Sequence, residues 1–171
     1  MRGRSKPFDK MLHSTHSTQR QFICDNNGHL LVFTFNGACE EALDFAFVLR
    51  EGIAEIEIES ISLDVGISFG KVFEGLIGSR DRHESGIFGS SVILAARLVD
   101  CCMMENANIV VDASVVKESL SSSLSSSLSS SLSSSLSSSH SQKYHFEKKV
   151  ECITLKGFED GVEIYNAIQL S

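Results

Sequence analysis

The chain has 171 residues, with 15 basic and 22 acidic side chains and a formal net charge of −7, a size that allows one domain. It contains no run of about 18 apolar residues, which excludes a membrane-spanning helix. An acidic balance with no Trp and two Tyr argues against a nucleic-acid-binding protein. Five cysteines without a CxxC pair indicate free thiols in a reducing compartment, so we expect a cytoplasmic protein.

The amino-terminal part of the chain predicts a disordered tail followed by a strand and a helix. Residues 1–21 are polar and patternless, and they lack the apolar stretch of a secretory signal. The apolar run Leu30–Phe35 predicts a buried strand that ends at Asn36-Gly37. Apolar residues at helical spacing then predict a helix from Cys39 to Ala54.

The middle of the chain predicts a β-hairpin followed by a helix. Strict alternation of apolar with small or polar residues over Ile61–Gly70 predicts a half-buried strand. We expect a turn at Gly70-Lys71 to lead into Val72–Ile77 as the returning strand, and the charged stretch Ser79–Glu84 to form a loop. A helix is predicted from Ser90 or Ser91 to about Met104, with serine as its cap.

The last third of the chain predicts three further strands and a short helix. Ile109–Val111 is expected to be a strand, and Asp112 to cap a brief helix. Two strands, Val150–Leu155 and Val162–Ile168, are predicted around a turn at Glu159–Gly161. Strands alternating with helices indicate an α/β or α+β sheet with helices packed on it.

Residues 119–141 form a low-complexity segment of 17 Ser, 5 Leu and 1 His. The leucines recur every four residues, so on a helix their stripe would drift by about 40° per repeat. Serine is a mediocre helix former, and the segment has no charged pairs to support a helix. We therefore favour a disordered insertion that arose by repeat expansion over a helix that offers its leucines to a partner.

Two short motifs have a functional and a structural interpretation. Glycines at 70, 75 and 78 suggest a phosphate-binding loop, but Leu76 and Ile77 occupy the places of its Lys and Ser/Thr. A tight glycine hairpin is therefore favoured. His13 and His16 have the spacing of helical metal ligands, yet their Ser/Thr-rich surroundings favour a solvated tail.

His83-Glu84 and Arg97 are further candidates for chemical roles. His83-Glu84 is an acid/base candidate, although adjacent loop residues rarely face the same point. Arg97 follows Ile93 by one helical turn, and an arginine there commonly reaches solvent or pairs with an acid such as Asp100. Anion binding by Arg97 is the alternative.

Three stretches carry a family resemblance. GKVFEGLIGSRDRHESGIFGSSVILAARL (Gly70–Leu98) resembles the catalytic domain of class III adenylate and guanylate cyclases, most closely the second catalytic half of the soluble, bicarbonate-responsive adenylate cyclase. LKGFEDGVEIY (Leu155–Tyr165) is similar to that family's closing hairpin, and DNNGHLLVFTFNGA (Asp25–Ala38) to an early strand.

The resemblance implies an α+β sandwich of the ferredoxin-like type, in which this chain lacks the family's first strand and helix. A partial cyclase domain would occupy residues 22–118, and residues 142–171 would supply its closing hairpin after the 119–141 insertion. Because the family's first strand is central to its sheet, its loss would leave a long apolar strand unpaired.

The resemblance also implies conversion of ATP to cyclic AMP and pyrophosphate between two domains arranged head to tail. One half holds two Mg²⁺ ions through carboxylates. The other half supplies base-reading side chains, a ribose-positioning Asn and a transition-state Arg. In this chain Arg97 matches that Arg, whereas Ile93 stands at the Asn position, Gly86 at a base-reading Thr/Asp, and Asn27 at the base-reading Lys.

These departures predict a chain that is inactive by itself. His29 stands where a metal-binding half would carry an Asp, so we expect no metal ligands here and Mg²⁺ only from a partner half. ATP or GTP is expected to bind weakly if at all. Two alternatives stay open: a non-catalytic regulatory module that pairs with an intact cyclase half, and an unstable gene fragment.

Overall fold

The computed structural model describes residues 17–25, 28–36, 39–55, 63–105, 107–130 and 143–170, which form eight strands and three helices. The strands are β1 (Ser17–Asp25), β2 (Gly28–Phe35), β3 (Val65–Ile67), β4 (Phe73–Gly78), β5 (His83–Phe88), β6 (Ile109–Asp112), β7 (Tyr144–Leu155) and β8 (Phe158–Gln169). The helices are α1 (Cys39–Ala54), α2 (Ser90–Glu105) and α3 (Ala113–Ser130). Among these helices, none has the length and apolar character that crossing a membrane requires.

A four-stranded sheet with the order β3-β6-β8-β7 forms the centre of the fold. β3 and β6 run parallel, whereas β8 runs antiparallel to both β6 and β7. Parallel neighbours need a crossover connection, and α2 lies in that connection and packs on both strands. β1 pairs with β2, and β4 with β5, as two antiparallel hairpins. The α+β class predicted from the sequence is confirmed.

The core consists of two clusters on opposite faces of β6. Ile109 and Val111 pack in a cluster with α1, α3 and Tyr144. Val110 packs in the second cluster with α2 and Ile164 of β8. Because successive strand residues point to opposite faces, α1 and α3 cover one face of the sheet and α2 covers the other.

Gly66 in β3 permits the close packing of α2 on this sheet. A Cβ atom at this position would lie 2.2 Å from the carbonyl oxygen of Ala95 and 2.9 Å from Cβ of Leu98. Any larger residue would therefore push the helix away from the strand.

The strand predicted at Leu30–Phe35 and the two predicted helices that became α1 and α2 are confirmed. The strand is not buried as expected, because Leu31 is 49% exposed and its neighbours in the strand are only partly buried. The predicted strand at Ile109–Val111 is confirmed as β6. The cap is confirmed too, since Oδ1 of Asp112 accepts a hydrogen bond from the Val115 amide at 3.4 Å.

The predicted hairpin between Ile61–Gly70 and Val72–Ile77 is wrong. Among the described residues the first strand is limited to β3, which pairs with β6, and β4 pairs with β5 instead. The expected loop Ser79–Glu84 therefore contains the turn of a hairpin, in which the amide of Ser79 donates to the carbonyl oxygen of Arg82 at 2.8 Å. The strand predicted at Val72–Ile77 is present as β4 (Phe73–Gly78), and only its partner differs from the prediction. β5 was not predicted, and most of its residues are exposed.

The turn predicted at Glu159–Gly161 is also wrong. The chain reverses at Lys156-Gly157, where Gly157 has a φ of 92°, and Leu155 pairs with Phe158. Gly161 has a φ of 74° as well, but it lies inside β8 beside an irregularity in the pairing with β7. Gly161 therefore marks an irregularity within β8, whereas the chain reversal lies at Gly157.

Two expectations of disorder are wrong in part. β1 begins at Ser17, so residues 17–21 belong to a strand that pairs with the apolar β2, while residues 1–16 lie outside the described residues. α3 runs to Ser130, so residues 119–130 of the Ser/Leu segment continue a capped helix. Residues 131–142 lie outside the described residues.

The serines of α3 are accommodated by hydrogen bonds to the preceding helical turn. The hydroxyl groups of Ser121 and Ser122 each donate to the carbonyl oxygen of Glu118 at 2.9 Å. Such local bonding competes with the backbone and makes serine unfavourable for starting a helix. In α3 the first turn is instead stabilised by the Asp112 cap and by burial of Val115.

Three cysteines, Cys39, Cys101 and Cys102, are free and buried, as the sequence predicted. Burial raises the pKa of Cys39 to about 12 and that of Cys102 to about 11. Burial also raises the pKa of Cys101. These thiols therefore stay protonated and unreactive at neutral pH.

We predict that the thiols of Cys39 and Cys102 resist iodoacetamide at pH 8 in the folded chain. At that pH a pKa of about 11 leaves about one thiolate in 10³, and a pKa of about 12 about one in 10⁴. Peptide mass spectrometry should show alkylation at least about 100-fold slower than in urea. Equal rates in the two conditions would contradict the burial of these side chains.

Candidate functional site

Arg97 and Ile93 lie on the solvent side of α2. The guanidinium group of Arg97 is 3.7 Å from a carboxylate oxygen of Asp100, and the two side chains are 40% and 70% exposed. Ile93, one turn earlier, is 54% exposed. The neighbouring residues Leu94 and Leu98 are buried against the sheet, so packing fixes the helix while Arg97 stays accessible.

The pairing of Arg97 with Asp100, predicted as the ordinary role of this arginine, is confirmed by the structure. An ion pair between exposed groups contributes only about 0–1 kcal/mol to stability. The guanidinium group can therefore leave Asp100 for a phosphate at little cost, and its planar fork suits such an anion.

Gly86 lies in β5 opposite Gly75 of β4. It is buried, and a Cβ atom there would lie 2.5 Å from the ring of Phe88 and 3.2 Å from Cδ1 of Ile77. A hydrogen-bonding side chain at position 86 would require both neighbours to move. The neighbouring apolar groups thus occupy the space where a base-reading side chain would stand.

Gly86, Ile93 and Arg97 lie on two consecutive elements, β5 and α2. β5 leads directly into α2, and the amide of Ile93 donates to the carbonyl oxygen of Gly89 at 3.3 Å. Asn27, the fourth candidate, lies outside the described residues. The described candidate positions therefore hold one cation, one exposed apolar side chain and one glycine.

The β4–β5 hairpin presents an exposed apolar face next to this site. Phe73, Ile77 and Phe88 share one face of the hairpin, since Phe73 pairs with Phe88 and Ile77 lies four residues after Phe73 on the same strand. Phe73 is 70% exposed, and the other two are exposed as well. Ile87, on the opposite face, is buried, so the Phe73 face points away from the domain. We call Phe73, Ile77 and Phe88 the hairpin face.

Several other expected chemical groups do not form. His83 and Glu84 are successive residues of β5, so their side chains point to opposite faces and form no acid/base pair. The phosphate-loop hypothesis fails because residues 73–78 are a strand and not a loop before a helix. His13 and His16 lie outside the described residues.

The described part of the chain holds no group of three His, Cys, Asp or Glu side chains that could bind a metal ion. Mg²⁺ demands near-octahedral oxygen ligands, usually carboxylates. The described residues therefore do not fit such an ion.

Sequence inspection missed a polar cluster that joins α1 to β7. Asp44 accepts hydrogen bonds from Tyr144 and Lys143, about a hundred residues away in the sequence. Tyr144 is buried and stacks on Phe47 with 5.7 Å between the ring centroids. Burial and the adjacent Asp44 carboxylate raise the pKa of Tyr144. The cluster is structural, and its sequence separation leaves no local signal that could have predicted it.

Residues 8–166 match the family model described as the adenylate and guanylate cyclase catalytic domain. The chain belongs to that family. The cyclase family membership predicted from the Gly70–Leu98 motif is thereby confirmed. Comparison with curated protein sequences gave no match.

Solved cyclases share the fold of this cyclase domain. The adenylyl cyclase CyaB from P. aeruginosa superposes with a TM-score of 0.62 at 19% identity, covering 96% of this chain and 78% of that one. A bacterial light-regulated adenylyl cyclase gives 0.61 at 14% identity, covering 92% and 70%. The guanylyl cyclase Cya2 gives 0.50 at 14% identity, covering 96% and 77%. The class III cyclase fold is thus confirmed.

We predict that Leu98→Ala and Arg97→Ala, adjacent changes on α2, have very different effects on stability. Leu98 is fully buried, so its truncation should cost about 2–5 kcal/mol of unfolding free energy. Arg97→Ala should cost less than about 1 kcal/mol, because it removes only an exposed ion pair. Urea denaturation measures both, and similar losses would show that α2 is oriented differently.

Proposed function

We propose that this cyclase domain acts as the second-half partner in a head-to-tail pair and helps convert ATP to cyclic AMP. The observation that supports this most directly is Arg97, an accessible guanidinium group on a helix anchored by Leu94 and Leu98. ATP is proposed as the substrate because Gly70–Leu98 resembles the second half of a soluble adenylate cyclase, and GTP stays the alternative because position 86 carries no base-reading side chain. The buried free thiols favour the cytoplasm.

Arg97 would act on the phosphate groups during cyclisation. The 3′-hydroxyl oxygen of ATP forms a bond to the α-phosphorus, the bond from that phosphorus to the bridging oxygen breaks, and pyrophosphate leaves while the hydroxyl proton passes to a base or water. Negative charge grows on the bridging and phosphate oxygens in this step. A guanidinium group positioned there stabilises the transition state more than the ground state.

The complementary half must supply the carboxylates that bind Mg²⁺, whose role is to activate the hydroxyl group and neutralise the triphosphate. Ile93 and Gly86 offer no hydrogen bonds to ribose or base. Since loss of one positioned donor costs about 10²–10³ in rate, the pair should be slow and should discriminate poorly between bases.

The hairpin face is the surface we assign to pairing. A contiguous patch of large apolar side chains exposed on a protein surface commonly marks an interaction site. Phe73, Ile77 and Phe88 point away from the domain, and Ile93 lies on the adjoining helix. Pairing there would place Arg97 at the edge of the interface.

We expect Arg97→Ala to abolish cyclic AMP formation in a mixed assay with a metal-binding cyclase half, Mg²⁺ and ATP. The loss should reach about 100-fold or more, because a charge-stabilising donor disappears. Arg97→Lys should retain part of the rate, because the lysine ammonium group keeps the positive charge but lacks the planar, bidentate geometry of the guanidinium group. Cyclic AMP is quantified by mass spectrometry.

Arg50→Ala on α1 is the matched control for this assay, since it removes the same side chain from another helix. It should leave the rate unchanged. Equal output from the Arg97→Ala and unaltered chains would refute the catalytic role.

The second candidate function is a regulatory module that pairs without taking part in catalysis. The packing of Phe88 against Gly86 favours the regulatory role. Because the ring leaves no room for a side chain at position 86, no base-reading group fits there. Association with a cyclase half without any dependence of turnover on Arg97 would support this role. A chain that shows no cooperative melting transition would instead support the unstable-fragment hypothesis.

We predict that Phe73→Asp weakens pairing at least about tenfold, because it places a charge in the apolar centre of the interface. Leu76→Asp is the control. Leu76 is as exposed as Phe73, at 71%, and lies on the same strand, but it points to the other face of the hairpin. Analytical ultracentrifugation measures both affinities, and equal weakening would place the interface elsewhere.

A further inference from the structure

An apolar cleft of about 590 Å³ lies between β2 and β3. Residues 30–36 line it from the β2 side and residues 63–70 from the β3 side. α1 lines the cleft with residues that include Ala42 and Phe45, and α2 with residues that include Ala95 and Val99. Val72 and Glu74 also line it. We call this space the β2–β3 cleft.

Both strands that border the cleft have an edge without a strand partner in the described part of the chain. β2 is hydrogen-bonded to β1 on one side, and β3 to β6 on one side. A free strand edge exposes a row of amide and carbonyl groups that can bind another strand. Oγ of Ser68, also in the cleft, is buried and has no hydrogen-bond partner among the described residues, which is unfavourable for a polar atom.

The cleft is covered on both faces. In β3, Val65 and Ile67 pack with the α1 cluster, whereas Gly66 faces α2. A strand beside β3 would therefore have its side chains alternately against α1 and against α2. Strands buried on both faces are nearly continuous apolar runs rich in β-branched residues.

We propose that the β2–β3 cleft binds one extended apolar segment of a partner polypeptide, which inserts as a strand between β2 and β3. The inserted strand would join the β1–β2 hairpin to the four-stranded sheet and satisfy both free edges at once. Main-chain hydrogen bonds give such strand addition its affinity, and the side-chain pockets give it specificity. The inference concerns completion of the sheet and is independent of the proposed nucleotide chemistry.

Residues 1–16 of the chain itself are unsuited to this position. They contain Pro7, which cannot donate a backbone hydrogen bond and is excluded from central strands. They also contain the four cations Arg2, Arg4, Lys6 and Lys10. Burial of unpaired charges in an apolar cleft is strongly unfavourable.

The first test uses the full chain and a fluorescent peptide of eight alternating Val and Ile residues with Lys at both ends. Fluorescence anisotropy should show saturable binding. The same peptide N-methylated at alternate residues keeps its side chains but loses edge hydrogen bonds, so it should bind at least about tenfold more weakly. Absence of binding, or equal binding of the two peptides, would overturn the proposal.

Hydrogen exchange locates the bound peptide. Amides in residues 30–35 and 65–69 should exchange more slowly when the peptide is present, while those of β7 stay unchanged. Protection confined to other residues would overturn the assignment to the β2–β3 cleft.

Two variants of α1 provide a matched comparison in the chain. Ala42→Phe fills the cleft and should weaken peptide binding at least about tenfold, whereas Ala54→Phe, at the exposed end of the helix, should leave it within about twofold. Equal binding by both variants would overturn the proposal. Deletion of residues 1–16 should also leave binding within about twofold, and a tenfold gain would show that the chain's own terminus is the occupant.

Discussion

Burial of β6 on both faces is the constraint that organises this domain. Ile109 and Val111 pack against α1 and α3, and Val110 packs against α2. Asp112, at the end of the same strand, accepts hydrogen bonds from the amides of Val115 and Phe69, and burial raises the pKa of its carboxyl group. One four-residue strand thus fixes all three helices and the start of α3. Its parallel pairing with β3 also requires a crossover connection, and that connection carries the β4–β5 hairpin and α2.

The candidate site follows from that crossover. α2 must bury Leu94 and Leu98 to cover the sheet, and helical geometry then leaves Ile93 and Arg97 towards solvent. The position of Arg97 on the solvent side of α2 is therefore determined by core packing. Gly86 lies instead on the β4–β5 hairpin, where the ring of Phe88 would contact any larger side chain. Core packing thus places the charged candidate, whereas packing within the hairpin determines what position 86 can accommodate.

Much of the fold could be predicted where each signal is local. The apolar periodicity of α1 and α2, the run of β2 and the Asp112 cap all act within a few residues, and the structure confirms them. Strand partners could not be predicted, since β3 pairs with a strand more than forty residues away. Helix propensity alone predicted disorder for residues 119–130, whereas they continue α3. Extension of an existing helix is more favourable than nucleation of a new one. Helical spacing offered Arg97 as a possible anion-binding residue, whereas its catalytic role rests on the family motif and stays a prediction.

The β2–β3 cleft and the hairpin face meet at one strand. Phe73 of β4 points outward on the hairpin face, while its neighbour Glu74 lines the cleft and accepts a hydrogen bond from the Thr34 hydroxyl at 3.0 Å. This bond is a direct tie between the β1–β2 hairpin and β4. A strand bound in the cleft would hold β2 in the sheet and, through Thr34 and Glu74, would restrict β4 as well. Because ordering β4 in advance lowers the entropy cost of docking its outer face, occupation of the cleft should favour pairing at the hairpin face. By linkage, pairing should favour occupation of the cleft to the same extent.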